Sequence, residues 1–203
     1  MILYGRFLSP YVRRVATSLN FYGFDYDSKP IQHTGEEAAT LRKINPIGRV
    51  PALVTDSGQV IVESAAILDY LDRLAGPENS LTPMTGDDRT RAINMLGVAT
   101  GSIDKAISVS YEVRFRPEEK RHQPWVERCE EQARLGYEWL ESQLDGQYFL
   151  GEAISQVDIT TAVGWQYMSI GPKHLHATIK APKIAALAER LMENPAFKQT
   201  FPG

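Results

Sequence analysis

Two serines sit where a hydroxyl can act on a negative charge. Ser9 stands immediately before Pro10 and an apolar run of helical spacing, and Ser64 opens a second such run directly after Glu63. A helix start presents unpaired backbone N–H groups and the positive end of the helix dipole, so anions are favoured there. A serine at that point adds a hydroxyl donor, or serves simply as the N-cap. Both readings apply to Ser9 and to Ser64.

Other reactive residue types offer less. Cys129 is the sole cysteine, which excludes an intrachain disulfide and a cysteine-rich zinc site. It falls on the apolar stripe of a helical segment and reads as a buried structural thiol. His174 and His176 are two residues apart, but no third ligand signal accompanies them, so no metal is expected. Glu118-Glu-Lys-Arg121 reads as a solvated helix start.

The elements that must position the serines follow from the residue pattern. Ile2-Leu-Tyr4 reads as a buried strand. Ser9-Pro10 opens a helix whose Val12, Val15, Ala16 and Leu19 form one stripe and which Gly23 stops. Residues 25–31 read as a second strand and residues 35–44 as a short helix, closed by Asn45-Pro46 and Gly48. Ala52-Leu-Val54 and Val60-Ile-Val62 flank Thr55-Asp-Ser-Gly58, the pattern of a hairpin. Ser64 then begins a helix with Ile67, Leu71 and Leu74 on one face. The order is β-α-β-α-β-β-α. A β-α-β unit gives a parallel pair and the hairpin adds antiparallel strands, so the sheet should be mixed.

Residues 76–86 carry Gly76, Pro77, Pro83 and Gly86, a linker composition. Beyond them the strand pattern stops. Ile93, Leu96, Ile103 and Ile107 keep helical spacing, as do Val126, Cys129, Ala133, Tyr137, Leu140 and Leu144, and later Ile184, Leu187 and Leu191. Ser155-Gln-Val-Asp158 reads as a capping box. The expected division is residues 1–76 as a mixed α+β domain, 77–86 as a linker and 87–203 as an all-α helical bundle.

Bulk properties narrow the function classes. The chain has 203 residues, 43% hydrophobic and 23% charged, an ordinary globular balance with room for two small domains. A net charge of −3 leaves no broad basic surface, so neither nucleic acid nor an anionic membrane is an expected partner. No apolar run approaches the ~20 residues of a membrane helix. The first residues already read as a strand, so no secretory leader is expected. With a lone cysteine, a cytoplasmic location is the expectation.

The sequence resembles the cytosolic glutathione transferase family over nearly its whole length. Five stretches carry the resemblance: Ser9-Pro-Tyr-Val-Arg-Arg14, Asn45-Pro-Ile-Gly-Arg-Val-Pro-Ala-Leu53, Glu63-Ser-Ala-Ala-Ile67, residues 151–158 and Asn194-Pro-Ala-Phe197. The first is similar to serine-type members, bacterial ones in particular. The resemblance implies a thioredoxin-like first domain, a helical second domain and a homodimer. It further implies an enzyme of detoxification joining glutathione, its co-substrate, to a small electrophile.

The resemblance also implies residue roles. Glu63 would take the γ-glutamyl ammonium, and Ser64 with its helix start would hold the adjoining carboxylate. The Val50-Pro51 bond would be cis, with Val50 offering its backbone groups to the cysteinyl peptide. Arg49 would reach the glycine carboxylate or remain a solvated loop charge; Gln32, His33, Arg42 and Lys43 stay open for the same contact. Ser9 would stabilise the thiolate, which is the nucleophile, whereas the thiol is not. Tyr4 is the alternative activator. Thiol–disulfide relatives carry cysteine at the position of Ser9, so a mixed-disulfide reductase is disfavoured. The electrophile pocket would lie between the domains, with Tyr11, Tyr111, Arg114, Trp165 and Tyr167 as candidates, and Arg13 close by. A fold that keeps the ligand site without turnover, as a binding or interaction module, is the alternative reading.

Overall fold

The computed structural model describes residues 1–202, which form two compact units. Residues 1–84 with 192 onward make the first, and 85–191 the second.

The first unit is a four-stranded sheet in the order β2-β1-β3-β4, with helices packed on it. Strand β1 (Ile2–Tyr4) pairs parallel with β2 (Asp27–Lys29) and antiparallel with β3 (Ala52–Val54), which pairs antiparallel with β4 (Val60–Val62). The mixed sheet is the one the β-α-β unit and hairpin demand. Gly58 closes the hairpin at φ 81°, its N–H donating to the Thr55 carbonyl at 2.9 Å.

Helix α1 (Pro10–Tyr22) and helix α3 (Ser64–Ala75) pack together on the sheet. Leu3, Leu53, Val12, Val15, Ala16, Leu19, Ile67, Leu68 and Leu71 form one core between them. Helix α1 stops at Gly23, which takes φ 67°, while the Phe24 N–H reaches back to the Leu19 carbonyl at 3.0 Å. Leu74, expected on the buried face of α3, is exposed near the helix end. Helix α2 (Glu37–Ile44) buries Ala38 and Leu41. Tyr22 donates to the Asp72 carboxylate and accepts from the Leu81 N–H at 2.7 Å, tying α1, α3 and the chain leaving α3 together. Burial pushes the Asp72 carboxyl above the usual carboxylate range.

The second unit is helical: α4 (Gly86–Phe115), α5 (Gln123–Gln143), α6 (Gln156–Ile170), α7 (Lys173–Thr178) and α8 (Pro182–Leu191). The stripe Val126, Cys129, Ala133, Tyr137, Leu140 and Leu144 is buried as its spacing requires, and burial pushes the Cys129 thiol up. Helix α4 differs from expectation. Its buried line is Ala92, Met95, Ala99, Ser102, Ile103, Ala106 and Val109, while Ile93 is exposed. Small residues there let α5 come close: a Cβ on Gly136 would stand 3.2 Å from the Ser102 Cβ. The capping box of α6 is present. Asp158 accepts from the backbone N–H of Ser155 at 2.8 Å and of Phe149 at 3.0 Å.

The short helix α9 (Pro195–Lys198) belongs to the first unit and packs on α1. Among the described residues no helix is long and apolar enough to cross a membrane.

Candidate functional site

Strand register brings three separate stretches to one edge of the sheet. Tyr4 pairs with Ala52, and Ala52 with Val62. Strands β1 and β4 therefore end, and β3 begins, at the same level, with neighbours about 4.8 Å apart. The residues that leave the sheet there are Gly5 to Ser9, Val50-Pro51, and Glu63-Ser64. Residues distant in the chain thus share one edge because antiparallel pairing aligns the end of one strand with the start of the next.

Ser9 is the N-cap of α1, in extended conformation at φ −70° and ψ 120°. The Val12 N–H donates to its Oγ at 3.4 Å, long for such a bond, and the Ser9 hydroxyl hydrogen stays available as a donor. The loop before it depends on Gly5, whose φ of 132° disfavours a side chain. A Cβ there would also stand 3.1 Å from the Val50 Cβ. Gly5 is thus what lets the β1–α1 loop close against Val50. Tyr4 departs in the other direction. Leu3 is fully buried on the α1–α3 face, so strand alternation sends the half-buried Tyr4 to the opposite one.

The loop from Asn45 to Pro51 is built around a buried amide. Asn45 is 1% exposed; its Nδ2 donates to the Arg49 carbonyl at 2.7 Å and its Oδ1 accepts from the Ile47 N–H at 3.2 Å. Gly48 turns the chain at φ 64°, with the Arg42 stem lying over it. The Val50–Pro51 peptide is cis. Val50 precedes β3, outside the paired register, and the Arg49 side chain is exposed. Reading the sequence for breaks finds Asn45 as a helix stop but misses it as the loop's anchor; its side-chain amide after a helix was the available signal.

Glu63 has φ 70° and ψ 127°, and it is the only non-glycine residue with positive φ among the described residues. Such a conformation costs on the order of 1–3 kcal/mol, and residues held this way concentrate at functional sites. Its side chain makes no capping bond to α3. Ser64, nearly buried, is the first residue of that helix, and the first intrahelical bond runs from the Ile67 N–H to the Glu63 carbonyl. The N–H groups of the first turn, ahead of Ile67, lie beyond that pairing, as at any helix start.

Arg6, in the β1–α1 loop, lies 3.9 Å from Glu37, which accepts from the Gln32 N–H at 2.6 Å. Among the residues left open for a carboxylate contact, Gln32 is engaged with Glu37 through its backbone N–H alone, while Arg42 and Lys43 are exposed on α2.

The candidates for an electrophile pocket are distributed over both units. Tyr11 is half-buried in the first turn of α1. In the second unit, Tyr111 and Arg114 gather on Phe115 at the end of α4, with ring centroids 5.0 Å apart for the Tyr111–Phe115 pair. Tyr167 joins them by donating to Ser110 at 2.9 Å. Trp165 packs elsewhere, against Tyr137 at 5.9 Å and His176 at 4.2 Å between ring centroids. His174 instead bonds Glu130 at 2.7 Å, so the two histidines have different neighbours. Among the described residues no group of three or more His, Cys, Asp or Glu side chains is placed to hold a metal.

Comparison with known proteins agrees with this architecture. The family model described as Glutathione S-transferase, N-terminal domain matches residues 3–79, and that described as Glutathione S-transferase, C-terminal domain matches residues 104–195. A zeta-class glutathione S-transferase of Euphorbia esula is 34% identical over 77% of this chain and 71% of its own. A Drosophila melanogaster protein named "Probable maleylacetoacetate isomerase 2" is 27% identical over 99% of this chain and 87% of its own. Among solved structures, a glutathione transferase family member from Pseudomonas fluorescens with bound glutathione superposes with a TM-score of 0.88 at 28% identity, covering 100% of this chain and 98% of that one. With both domain families matched in order and the thioredoxin-like and helical units in place, this chain belongs to the glutathione S-transferase enzyme family.

Proposed function

We propose that this chain binds glutathione along the shared sheet edge and stabilises its thiolate with Ser9 for attack on a small electrophile. The observation that carries this is the convergence of Ser9, Val50 and Glu63-Ser64 on one edge, each with backbone or side-chain groups outside the ladder. Glu63 takes the ligand's ammonium, and the start of α3 with the Ser64 hydroxyl takes the neighbouring carboxylate. Val50 pairs its backbone with the cysteinyl peptide, and Arg49 stands free to reach the glycine carboxylate.

At Ser9 the hydroxyl donates a hydrogen bond to the sulfur, while the helix dipole favours its negative charge. Lowering a thiol pKa from about 8.5 by ~2 units corresponds to about 2.7 kcal/mol. The thiol proton leaves to solvent and a sulfur lone pair forms the new bond to the electrophile; in a substitution the leaving group departs with the pair of the bond that breaks, and in an addition the π pair moves to the neighbouring atom, which takes a proton from solvent. No bond to the enzyme forms. Tyr4, on the opposite face of the sheet from α1, is the poorer candidate for this role.

The relative named as a maleylacetoacetate isomerase favours a second reading, in which the sulfur adds to a conjugated double bond and is expelled after rotation. Glutathione is then regenerated instead of consumed, and product analysis separates the two. A homodimer is part of the same proposal, and light scattering tests it. The site itself is tested by calorimetric titration with glutathione. Saturable binding that the Glu63→Ala/Ser64→Ala variant loses supports the reading; no binding to the intact chain overturns it.

A further inference from the structure

All four strands end or begin at the sheet edge that carries Ser9, and their order there is fixed. The sheet runs β2-β1-β3-β4, and β1 is parallel to β2 with Tyr4 opposite Lys29. Along the edge, Glu63-Ser64 comes first, then Val50, then the Gly5–Ser9 loop, then the chain that leaves β2 at Pro30. Neighbouring strands stand about 4.8 Å apart, so β4 and β2 are separated by about 14 Å. An extended tripeptide reaches about 10 Å, and glutathione reaches further because its first peptide bond runs through the glutamyl side chain. With the γ-glutamyl end at Glu63-Ser64 and the cysteinyl peptide at Val50, the glycine carboxylate falls at the β1–β2 end of the edge.

Arg6 is a cation at that end. It lies just past β1, and its carbonyl accepts from the Ser9 N–H at 3.0 Å, so its backbone belongs to the turn that presents Ser9. The Gly5 N–H donates to the Lys29 carbonyl at 3.0 Å, which carries the pairing of β1 with β2 up to Arg6. The side chain then reaches across to the chain that follows β2. Gln32 Oε1, in the amide orientation its neighbours require, accepts from Nη2 at 2.9 Å and from Nη1 at 3.0 Å. Glu37 Oε2 stands 3.9 Å from Nη2, beyond hydrogen-bond distance, and accepts instead from the Gln32 N–H at 2.6 Å.

A guanidinium carries five N–H donors, and these contacts use two. The Nε edge lies outside them and has the fork geometry for a second planar acceptor such as a carboxylate. The Arg6 side chain is about half exposed, so a solute can reach it. Arg42, Lys43 and Arg49 are exposed cations too. Arg6 differs in being held by Gln32 and steadied by Glu37, and a side chain already held gives up less rotamer freedom when it binds. We propose that Arg6, oriented by Gln32 and Glu37, is the principal cation for the glycine carboxylate and the residue that distinguishes glutathione from ligands neutral at that end. This rests on glutathione lying along the sheet edge, as proposed above.

The test is calorimetric titration with two ligands, glutathione and its glycyl monoethyl ester, which differ in that carboxylate alone. The wild type should bind glutathione roughly fivefold to tenfold more tightly than the ester. Arg6→Gln should bring glutathione down to the affinity of the ester and leave the ester's own affinity unchanged. Arg6→Lys, which keeps the charge but loses the fork, should recover part of the preference. A smaller loss of preference in Arg6→Gln than in Arg49→Gln overturns the inference. So does an Arg6→Gln protein that loses both ligands alike, the mark of a merely structural role. Equal affinity of the wild type for the two ligands overturns it as well and leaves the edge reading standing. If the wild type binds neither ligand, or if Glu63→Ala/Ser64→Ala does not weaken glutathione, the edge reading falls and this inference with it.

Discussion

The Asn45 side chain donates to the Arg49 carbonyl at 2.7 Å and accepts from the Ile47 N–H at 3.2 Å, tying together the loop that leads Val50 to the sheet edge. A buried amide with both ends bonded to backbone is a costly thing to replace. Losing one such bond and leaving its partners unpaired costs about 1–3 kcal/mol. Asn45→Ala should therefore weaken glutathione binding about tenfold, corresponding to about 1.4 kcal/mol, as read by calorimetry. A folded variant of unchanged affinity would show that the loop holds itself.

Close helix packing in the second unit rests on Gly164. A Cβ there would stand 2.5 Å from Ile103 Cγ1 and would also press on the Tyr137 hydroxyl, which donates to the Thr161 carbonyl at 3.1 Å. Alanine gains about 1 kcal/mol of helix propensity over glycine. Overpacking costs about 1–3 kcal/mol, and here the obstacles are a branched core side chain and a buried bonded hydroxyl. The clash should win, and Gly164→Ala should lower the melting temperature by several degrees. An equal or higher melting temperature would mean α6 and α4 can part without penalty.

His176 gives the fold a pH dependence of known sign. Its Nε2 is buried without a partner, and burial lowers its pKa below the ordinary 6.5. Above about pH 6.5 the imidazole is neutral folded or unfolded, and its contribution is fully present. As pH falls below that value the unfolded chain takes the proton first, and the contribution is lost down through the folded pKa. Between about pH 7.5 and pH 5 the wild type should lose more melting temperature than His176→Phe, which keeps a tilted ring against Trp165 but cannot titrate. Equal losses would assign the dependence to other groups.

Much of the first unit is legible in the sequence because each element announces itself locally. Ser9-Pro10 and Gly23 bracket α1, and the Asp-Ser-Gly turn marks the hairpin. The convergence of Ser9, Val50 and Glu63-Ser64 is a matter of strand register, which local patterns do not report; the family resemblance supplied that grouping. Along α4 the spacing holds for Ile103, which is buried, and fails at Ile93, which is exposed, for a physical reason. Large apolar residues such as Ile93 attract a periodicity reading, but the close approach of α5 requires small ones, so Ala92, Ala99, Ser102 and Ala106 are buried instead. The buried state of Arg13 was hidden too, since its neighbours Phe197 and Thr200 lie at the far end of the chain. Nothing in a single helix predicts which distant segment will cover its charged residue.

The central claim is that Ser9 stabilises the glutathione thiolate, and the most direct test is the thiol pKa of bound glutathione in the wild type and in Ser9→Ala. The account predicts a wild-type value well below the free thiol's ~8.5, and a shift back towards it in the variant, with kcat/KM near neutral pH falling by roughly tenfold to a hundredfold. An unchanged thiol pKa in a folded, glutathione-binding Ser9→Ala protein would contradict it and leave Ser9 as the N-cap of α1 alone.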